Sequence, residues 1–204
     1  MARGLTVGID GYCRLDAVVA LLAERNLDTT LEEVEREARS NDKQRYEVVS
    51  REGCRMIRAT QGHSISTVRD EELLEPVDSA RLPEVCAYGT YPKHWASILA
   101  GGLRASGPKG AGKHKRNYIH FAPYDVGDAR LISGMRPNCD VVIYIDLRKA
   151  LADDIPFFTS ANGVLLTRGI DGILPRRYFR TVRNVLTRKL LWPKPSSAPE
   201  DAAG

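Results

Sequence analysis

The chain has 204 residues, of which 43% are hydrophobic and 27% are charged. This is the composition of a globular protein, and the length suffices for one large domain or two small ones. The formal net charge of +4 permits a polyanionic partner without requiring one. No apolar run could span a bilayer, and the N-terminus lacks the apolar core of a signal peptide. We therefore expect an intracellular monomer without a membrane segment, in the cytoplasm or also in the nucleus.

The four cysteines are scattered along the chain. None belongs to a Cys-x-x-Cys pair, and no histidine lies at zinc-ligand spacing from any of them. We predict four free thiols in or near strands and no metal site.

Residues 1–80 contain signals for two helices and a hairpin. Asp16 is placed to cap a helix that ends near Arg25, and Thr30 with Glu33 fits a capping box for a second helix. Two β-rich runs flank residues 51–53, which is a hairpin signal. This order of elements is that of a small winged-helix-like lobe.

The rest of the chain is richer in strands. Residues 65–84 are polar and are interpreted as a link into a second domain over residues 81–190, whereas residues 191–204 are interpreted as a disordered tail. The overall class is therefore α+β. The predicted strands are 85–88, 118–122, 141–146, 164–167 and 180–182, and the predicted helices are 95–99, 125–132 and 147–153.

Two arginines stand in small-residue contexts that favour a functional role. Arg58 precedes Ala-Thr-Gln-Gly and Arg136 follows Ser-Gly-Met, and a guanidinium fork matches phosphate oxygens two at a time. We expect Arg58 and His63 to be presented to something outside this stretch. The basic, glycine-containing stretch 104–116 is either a solvated loop or an electrostatic guide for a nucleic-acid backbone. No P-loop or Rossmann fingerprint is present.

Several of these stretches together resemble one family, the tRNA 2′-phosphotransferases. The similarity extends from about Gly8 to Phe179. It is carried by the motifs at residues 41–46, 58–64, 89–95, 118–123, 131–136, 155–167 and 171–179.

The resemblance implies a winged-helix RNA lobe followed by an ADP-ribosyltransferase-like lobe that uses NAD as co-substrate. It implies that the 2′-phosphate of a spliced tRNA or other RNA attacks the nicotinamide ribose of NAD and expels nicotinamide. The ribose 2″-hydroxyl then attacks the phosphorus, which frees 2′-OH RNA and ADP-ribose 1″,2″-cyclic phosphate. By matching motif, Arg58 and Arg136 are the catalytic arginines. The residues expected to bind NAD are Gln61, His63, Tyr88, Gly89, Thr90, His120, Ser133 and Gly134.

The sequence departs from the family pattern at two places. The family opens with a short helix bearing Leu-Arg-His, and this chain starts at Met1-Ala2-Arg3 without that motif; Tyr88 stands where the family has histidine. We therefore expect NAD or ADP-ribose to bind and turnover to be slow. The alternatives are a non-catalytic NAD-, ADP-ribose- or RNA-binding form, and an ADP-ribosyltransferase acting on nucleic-acid phosphate ends.

Overall fold

The structure is a computed structural model of the chain that describes residues 4–61, 65, 67–69, 72–105, 118–136 and 138–193. Within these ranges it contains four α-helices and several antiparallel sheets, so the predicted α+β class is confirmed. None of the helices in the described part of the chain is long and apolar enough to cross a membrane.

The N-terminal segment, residues 4–61, forms a three-stranded sheet with two helices packed against it. Its strands lie in the order β1 Cys13–Arg14, β3 Cys54–Ala59 and β2 Tyr46–Arg51. The apolar residues of the second helix face this small core through Leu31, Val34 and Ala38, as its periodicity predicts. The elements are β1 Cys13–Arg14, α1 Leu15–Ala23, α2 Leu31–Ser40, β2 Tyr46–Arg51 and β3 Cys54–Ala59.

The two helices begin in different ways. The capping box at α2 is confirmed, because Thr30 Oγ1 accepts from the Glu33 amide while the Glu33 carboxylate accepts from the Thr30 amide. The predicted cap at Asp16 is wrong. Strand β1 runs directly into α1, so Arg14 is the N-cap residue and Asp16 lies inside the first turn, paired with the Arg14 guanidinium.

The predicted hairpin is present as β2 and β3. Its turn is built from Glu52 and Gly53, whose φ angles are 50° and 76°, as tight hairpin turns require. This two-residue turn fixes the register and places Glu47 directly opposite Arg58.

The remaining elements form two four-stranded sheets and a two-stranded one, ordered β4-β9-β10-β7, β13-β12-β8-β5 and β11-β6. Their bounds are β4 Leu74–Pro76, β5 Ala87–Thr90, α3 Pro92–Gly101, β6 Leu103–Arg104, β7 Ile119–Phe121, β8 Val141–Ile145, α4 Leu147–Ala152, β9 Phe158–Ser160, β10 Leu165–Thr167, β11 Ile173–Leu174, a 3-10 helix Arg176–Tyr178, β12 Phe179–Asn184 and β13 Leu190–Trp192.

The main core surrounds β8, all five residues of which are buried. Such a continuous apolar run is typical of a central strand covered on both faces. The two four-stranded sheets meet where Ala87 and Ala122 exchange backbone hydrogen bonds of 2.9 and 2.8 Å. Consequently β5 and β7, the two strands that carry predicted NAD-binding residues, lie beside each other.

Three predictions of local structure are wrong. The predicted link 65–84 contains β4, which pairs with β9. No helix forms over 125–132, because Asp125 accepts from its neighbouring amide and from Tyr144, and Gly127 has a φ of 87°. Leu191 and Trp192 belong to β13 rather than to a disordered tail, since Trp192 pairs with Val182; residues 194–204 lie outside the described part of the chain.

Candidate functional site

The centre of the candidate site is the Ser133 loop, which we define as residues 133–136. It lies against β5 and β7 because both contact points are glycines. A Cβ atom on Gly134, whose φ is 89°, would lie 2.6 Å from the carbonyl oxygen of Phe121. A Cβ atom on Gly89 would lie 2.6 Å from Met135 Cγ and 2.8 Å from Cys139 Sγ. Glycine is therefore required at both positions for the loop to approach the strands this closely.

We call the region where the Ser133 loop packs against β5 and β7 the junction. The polar side chains of the junction are mostly covered. Thr90 and Ser133 are buried, with 4% and 9% of their surface exposed. Tyr88 and His120 are half-buried, and the Tyr88 ring meets the Phe121 ring edge-on at 6.0 Å. Nδ1 of His120 lies 3.1 Å from the carbonyl oxygen of Tyr118. Because a carbonyl only accepts, this contact places the imidazole proton on Nδ1.

Gln61 connects the N-terminal segment to the Ser133 loop. Its Nε2 atom donates to Ser133 Oγ at 3.5 Å, while its Oε1 atom is buried and has no hydrogen-bond partner among the described residues. A buried amide oxygen without a partner in the described part of the chain is uncommon in native structures, and a bound ligand is one explanation of it.

Replacing Gln61 by methionine tests this interpretation. We expect Gln61→Met to keep or raise the denaturant midpoint of unfolding, because an unpaired buried polar atom costs about 1–3 kcal/mol and the substitution removes it. We expect the same substitution to weaken NAD or ADP-ribose binding by about tenfold, which is the loss of one hydrogen bond to a ligand. Gln44→Met is the matched control, since Gln44 lies in the described chain outside this junction and bonds through its backbone carbonyl. Unchanged ligand affinity in Gln61→Met would assign Gln61 a structural role only.

Arg58, which we expect to be presented to something outside, is mostly covered by its neighbours. Its side chain is 14% exposed, because Nε donates to Glu47 at 2.7 Å and Nη1 to the carbonyl oxygens of Asp10 and Glu72. Its guanidinium also lies 4.5 Å from the centre of the Tyr12 ring. A phosphate reaching Arg58 must therefore compete with Glu47 or approach the third guanidinium nitrogen.

Arg136, at the end of the Ser133 loop, is exposed. Its Cζ atom lies 5.5 Å from the centre of the Tyr91 ring, within cation–π distance. The two predicted catalytic arginines are thus each three residues from the Gln61–Ser133 contact, with Arg58 before Gln61 and Arg136 after Ser133.

A cleft of about 650 Å³ opens beside the Ser133 loop. Among the described residues that were predicted to bind NAD, Ser133 is the one that lines it. Sequence reasoning did not single out the other polar side chains of this cleft, although Thr159 and Asn162 belong to the quoted motif at 155–167. The lining includes Glu75, Asp78, Arg81, Tyr124, Arg130, Ser133, Thr159 and Asn162.

Charged and polar contacts fix the rim of the cleft. The Arg130 guanidinium lies 4.4 Å from the Tyr124 ring centre and pairs with Asp128, and its hydrogen bonds lower the pKa of Asp128 to about 2. Asn162 Nδ2 donates to the Lys43 carbonyl oxygen at 2.9 Å, which is a second contact with the N-terminal segment.

The cysteines and histidines of the described ranges offer no metal cluster. All four cysteines are free thiols, as predicted, and burial raises the pKa of the Cys139 thiol beside Gly89. A raised pKa keeps this group protonated and disfavours a thiolate role.

The predictions for His63 and for most of the basic stretch 104–116 fall on residues 62–64 and 106–117, outside the described chain.

Comparison with known proteins identifies the class. A family model described as "RNA 2′-phosphotransferase, Tpt1 / KptA family" matches residues 1–169. The chain is 43% identical over 181 residues to tRNA 2′-phosphotransferase 1 of Bos taurus, covering 87% of this chain and 66% of the relative. It is 41% identical over 181 residues to tRNA 2′-phosphotransferase 1 of Homo sapiens, covering 87% and 67%.

A bacterial relative extends the similarity. The probable RNA 2′-phosphotransferase of Streptomyces coelicolor is 35% identical over 177 residues, covering 87% of this chain and 84% of the relative. The chain therefore belongs to the RNA 2′-phosphotransferase family, which confirms the resemblance found in the sequence. It spans about two thirds of the length of the two mammalian relatives.

Proposed function

We propose that this protein is an NAD-dependent RNA 2′-phosphotransferase that acts in tRNA splicing. It transfers the splice-junction 2′-phosphate of tRNA to NAD, with release of nicotinamide and ADP-ribose 1″,2″-cyclic phosphate. The observation that carries the proposal is the close packing of the Ser133 loop against β5 and β7. One loop brings Ser133, Gly134 and Arg136 onto the strands that bear Gly89 and His120, and Gln61 bonds to it three residues after Arg58.

In this proposal residues 1–80 form the winged-helix RNA lobe and residues 81–190 the ADP-ribosyltransferase-like lobe. The junction fits NAD as a co-substrate for two reasons. The buried Oε1 atom of Gln61 has no partner among the residues that the structure describes, and it can accept from a hydroxyl or amide of the dinucleotide. The adjacent cleft of about 650 Å³ is within the usual size range of small-molecule sites, about 300–1,000 Å³.

One set of binding residues is suited to the ribose hydroxyls of NAD. Ser133, Thr90 and His120 offer hydroxyl and imidazole groups suited to ribose hydroxyls. When bound, NAD supplies an anomeric carbon whose leaving group, nicotinamide, departs as a neutral pyridine. Little general acid is then required, and positioning of the attacking phosphate accounts for most of the acceleration of this step.

The arginines act on the transferred phosphate. Arg136 is exposed on the loop and receives the RNA 2′-phosphate through its guanidinium fork. Arg58 binds the same phosphate by exchanging its contact with Glu47. Both charges stabilise the negative charge that builds on the phosphoryl group when the ribose 2″-hydroxyl attacks it.

Removal of divalent metal tests the arginine-based mechanism. We expect loss of the 2′-phosphate from a 2′-phosphorylated oligonucleotide to require NAD and to persist in excess EDTA, because arginines take the charge-neutralising role that Mg²⁺ has in many phosphoryl transfers. The measurement is electrophoretic separation of the oligonucleotide before and after reaction, with and without NAD and EDTA. Phosphate loss without NAD, or activity that depends fully on added Mg²⁺, would contradict the proposal.

A further inference from the structure

A cluster of cations surrounds Tyr91, immediately after β5. The Arg136 guanidinium lies 5.5 Å and Lys93 Nζ 5.9 Å from the centre of the Tyr91 ring. The His94 ring lies 6.4 Å away at an interplanar angle of 60°. Lys93 and Arg136 are exposed, and Tyr91 and His94 are half-buried. We call these four residues the Tyr91 cluster.

The Tyr91 cluster has the composition of a single-stranded nucleic-acid contact. Such sites combine aromatic rings, on which bases stack, with basic side chains that bind the backbone phosphates. A half-exposed tyrosine contributes little to a core, and an exposed lysine is not needed for folding. The cluster is therefore better explained by a ligand than by packing.

The distribution of charge along the chain also points to this part of the molecule. Residues 1–80 contain 11 Lys and Arg against 16 Asp and Glu, a net charge of −5, whereas residues 81–204 contain 19 against 10, a net charge of +9. A polyanion is therefore attracted more strongly by residues 81–204 than by residues 1–80. The charge asymmetry is independent of the ring geometry and supports an RNA contact at the Tyr91 cluster in addition to the proposed RNA lobe of residues 1–80.

We propose that the Tyr91 cluster binds the RNA strand next to the 2′-phosphate, with Tyr91 stacking on a neighbouring base and Lys93 contacting a backbone phosphate. This inference rests on the proposed function, because it is Arg136 that holds the 2′-phosphate. Because Arg136 and Lys93 lie 5.5 and 5.9 Å from the same ring centre, a strand whose 2′-phosphate lies on Arg136 has both Tyr91 and Lys93 within reach. The cluster thereby selects a phosphate carried on an RNA strand over a free phosphate monoester.

The test measures RNA binding and NAD binding separately, by fluorescence anisotropy of a labelled 2′-phosphorylated oligonucleotide and by calorimetry with NAD. We expect Tyr91→Leu to weaken RNA binding by about tenfold, which is the loss of one base–aromatic stack, while Tyr91→Phe retains the wild-type affinity. We expect Lys93→Gln to reduce the slope of log affinity against log salt by roughly 0.7. Lys149→Gln, an equal charge loss on the exposed face of α4, is the control and leaves that slope unchanged.

The outcomes separate this inference from the proposed reaction. Wild-type RNA affinity in Tyr91→Leu, an equal effect of Lys149→Gln, or absence of RNA binding by the unsubstituted protein would overturn the inference. A loss of NAD affinity in Tyr91→Leu with RNA affinity retained would also overturn it, because Tyr91 would then belong to the NAD pocket. The binding measurements require no turnover. A protein that binds RNA as described but releases no nicotinamide would contradict the proposed reaction and leave the RNA site supported.

Discussion

Arg136→Ala is expected to lower removal of the 2′-phosphate by about 10²-fold or more, as does removal of other donors that stabilise transition-state charge. The fold should be retained, because Arg136 is exposed and lies at the end of the Ser133 loop. The measurement is kcat and KM for a 2′-phosphorylated oligonucleotide at saturating NAD, together with thermal unfolding. NAD affinity should change little, since the guanidinium is assigned to the phosphate and not to the dinucleotide.

The controls for Arg136 separate its geometry from its charge. Arg136→Lys keeps the positive charge but loses the bidentate fork, so we expect activity between that of the wild type and that of Arg136→Ala. Arg148→Ala removes an equal charge from the exposed face of α4 and should leave turnover close to the wild-type rate. Wild-type turnover by Arg136→Ala would exclude Arg136 from the reaction.

Gly134→Ala is expected to have the second large effect. The added Cβ atom would lie 2.6 Å from the Phe121 carbonyl oxygen. That oxygen is a backbone atom and the Cβ is bonded directly to Cα, so backbone must move to relieve the contact. The Ser133 loop would then be displaced from β7, and with it Ser133 and Arg136. Because a misplacement of about 1 Å can cost roughly 10²-fold in rate, we expect kcat/KM to fall by about that factor. NAD binding should weaken in parallel, in contrast to Arg136→Ala.

Gly127→Ala is a matched control for Gly134→Ala. Gly127 has a φ of 87°, close to the 89° of Gly134, but a Cβ atom added to Gly127 would meet no atom of the described residues within 4 Å. Gly127→Ala therefore loses stability only because alanine disfavours a left-handed backbone conformation, which costs roughly 1–2 kcal/mol, and it creates no steric collision. Both substitutions should lower the melting temperature, and only Gly134→Ala should lower kcat/KM strongly. Equal losses of kcat/KM in the two variants would show that backbone strain, and not displacement of the Ser133 loop from β7, explains the lower rate.

Local signals in the sequence predicted those elements that depend on local interactions. The capping box of Thr30 and Glu33 is contained within four residues, and it forms as predicted. The helix predicted after Asp125 failed because long-range contacts decide that stretch, with Tyr144 and Arg183 both bonded to the Asp125 carboxylate. Strand β4 was missed because three residues with a proline carry almost no pattern of their own, and their pairing partner lies at Phe158–Ser160.

The same distinction applies to the candidate site. The family motifs identify which residues to examine, but they do not tell that Gly134 is needed for packing against Phe121, because that contact joins residues from separate elements. The burial of Arg58 was missed although a signal existed. The two-residue turn at Glu52 and Gly53 fixes the hairpin register, and this register alone places Glu47 opposite Arg58. The cleft beside Ser133 could not be found from sequence, since its lining comes from distant segments.

The proposal that the RNA 2′-phosphate is transferred to NAD is tested most directly by measuring both products of the same reaction. The unsubstituted protein is incubated with NAD and either a 2′-phosphorylated oligonucleotide or the same oligonucleotide bearing a 2′-OH. Nicotinamide release is followed together with mass spectrometry of the products. We expect nicotinamide and ADP-ribose 1″,2″-cyclic phosphate to form in equal amounts, and only with the phosphorylated RNA. Release of nicotinamide without the 2′-phosphate, or loss of the phosphate as inorganic phosphate with NAD intact, would contradict the account.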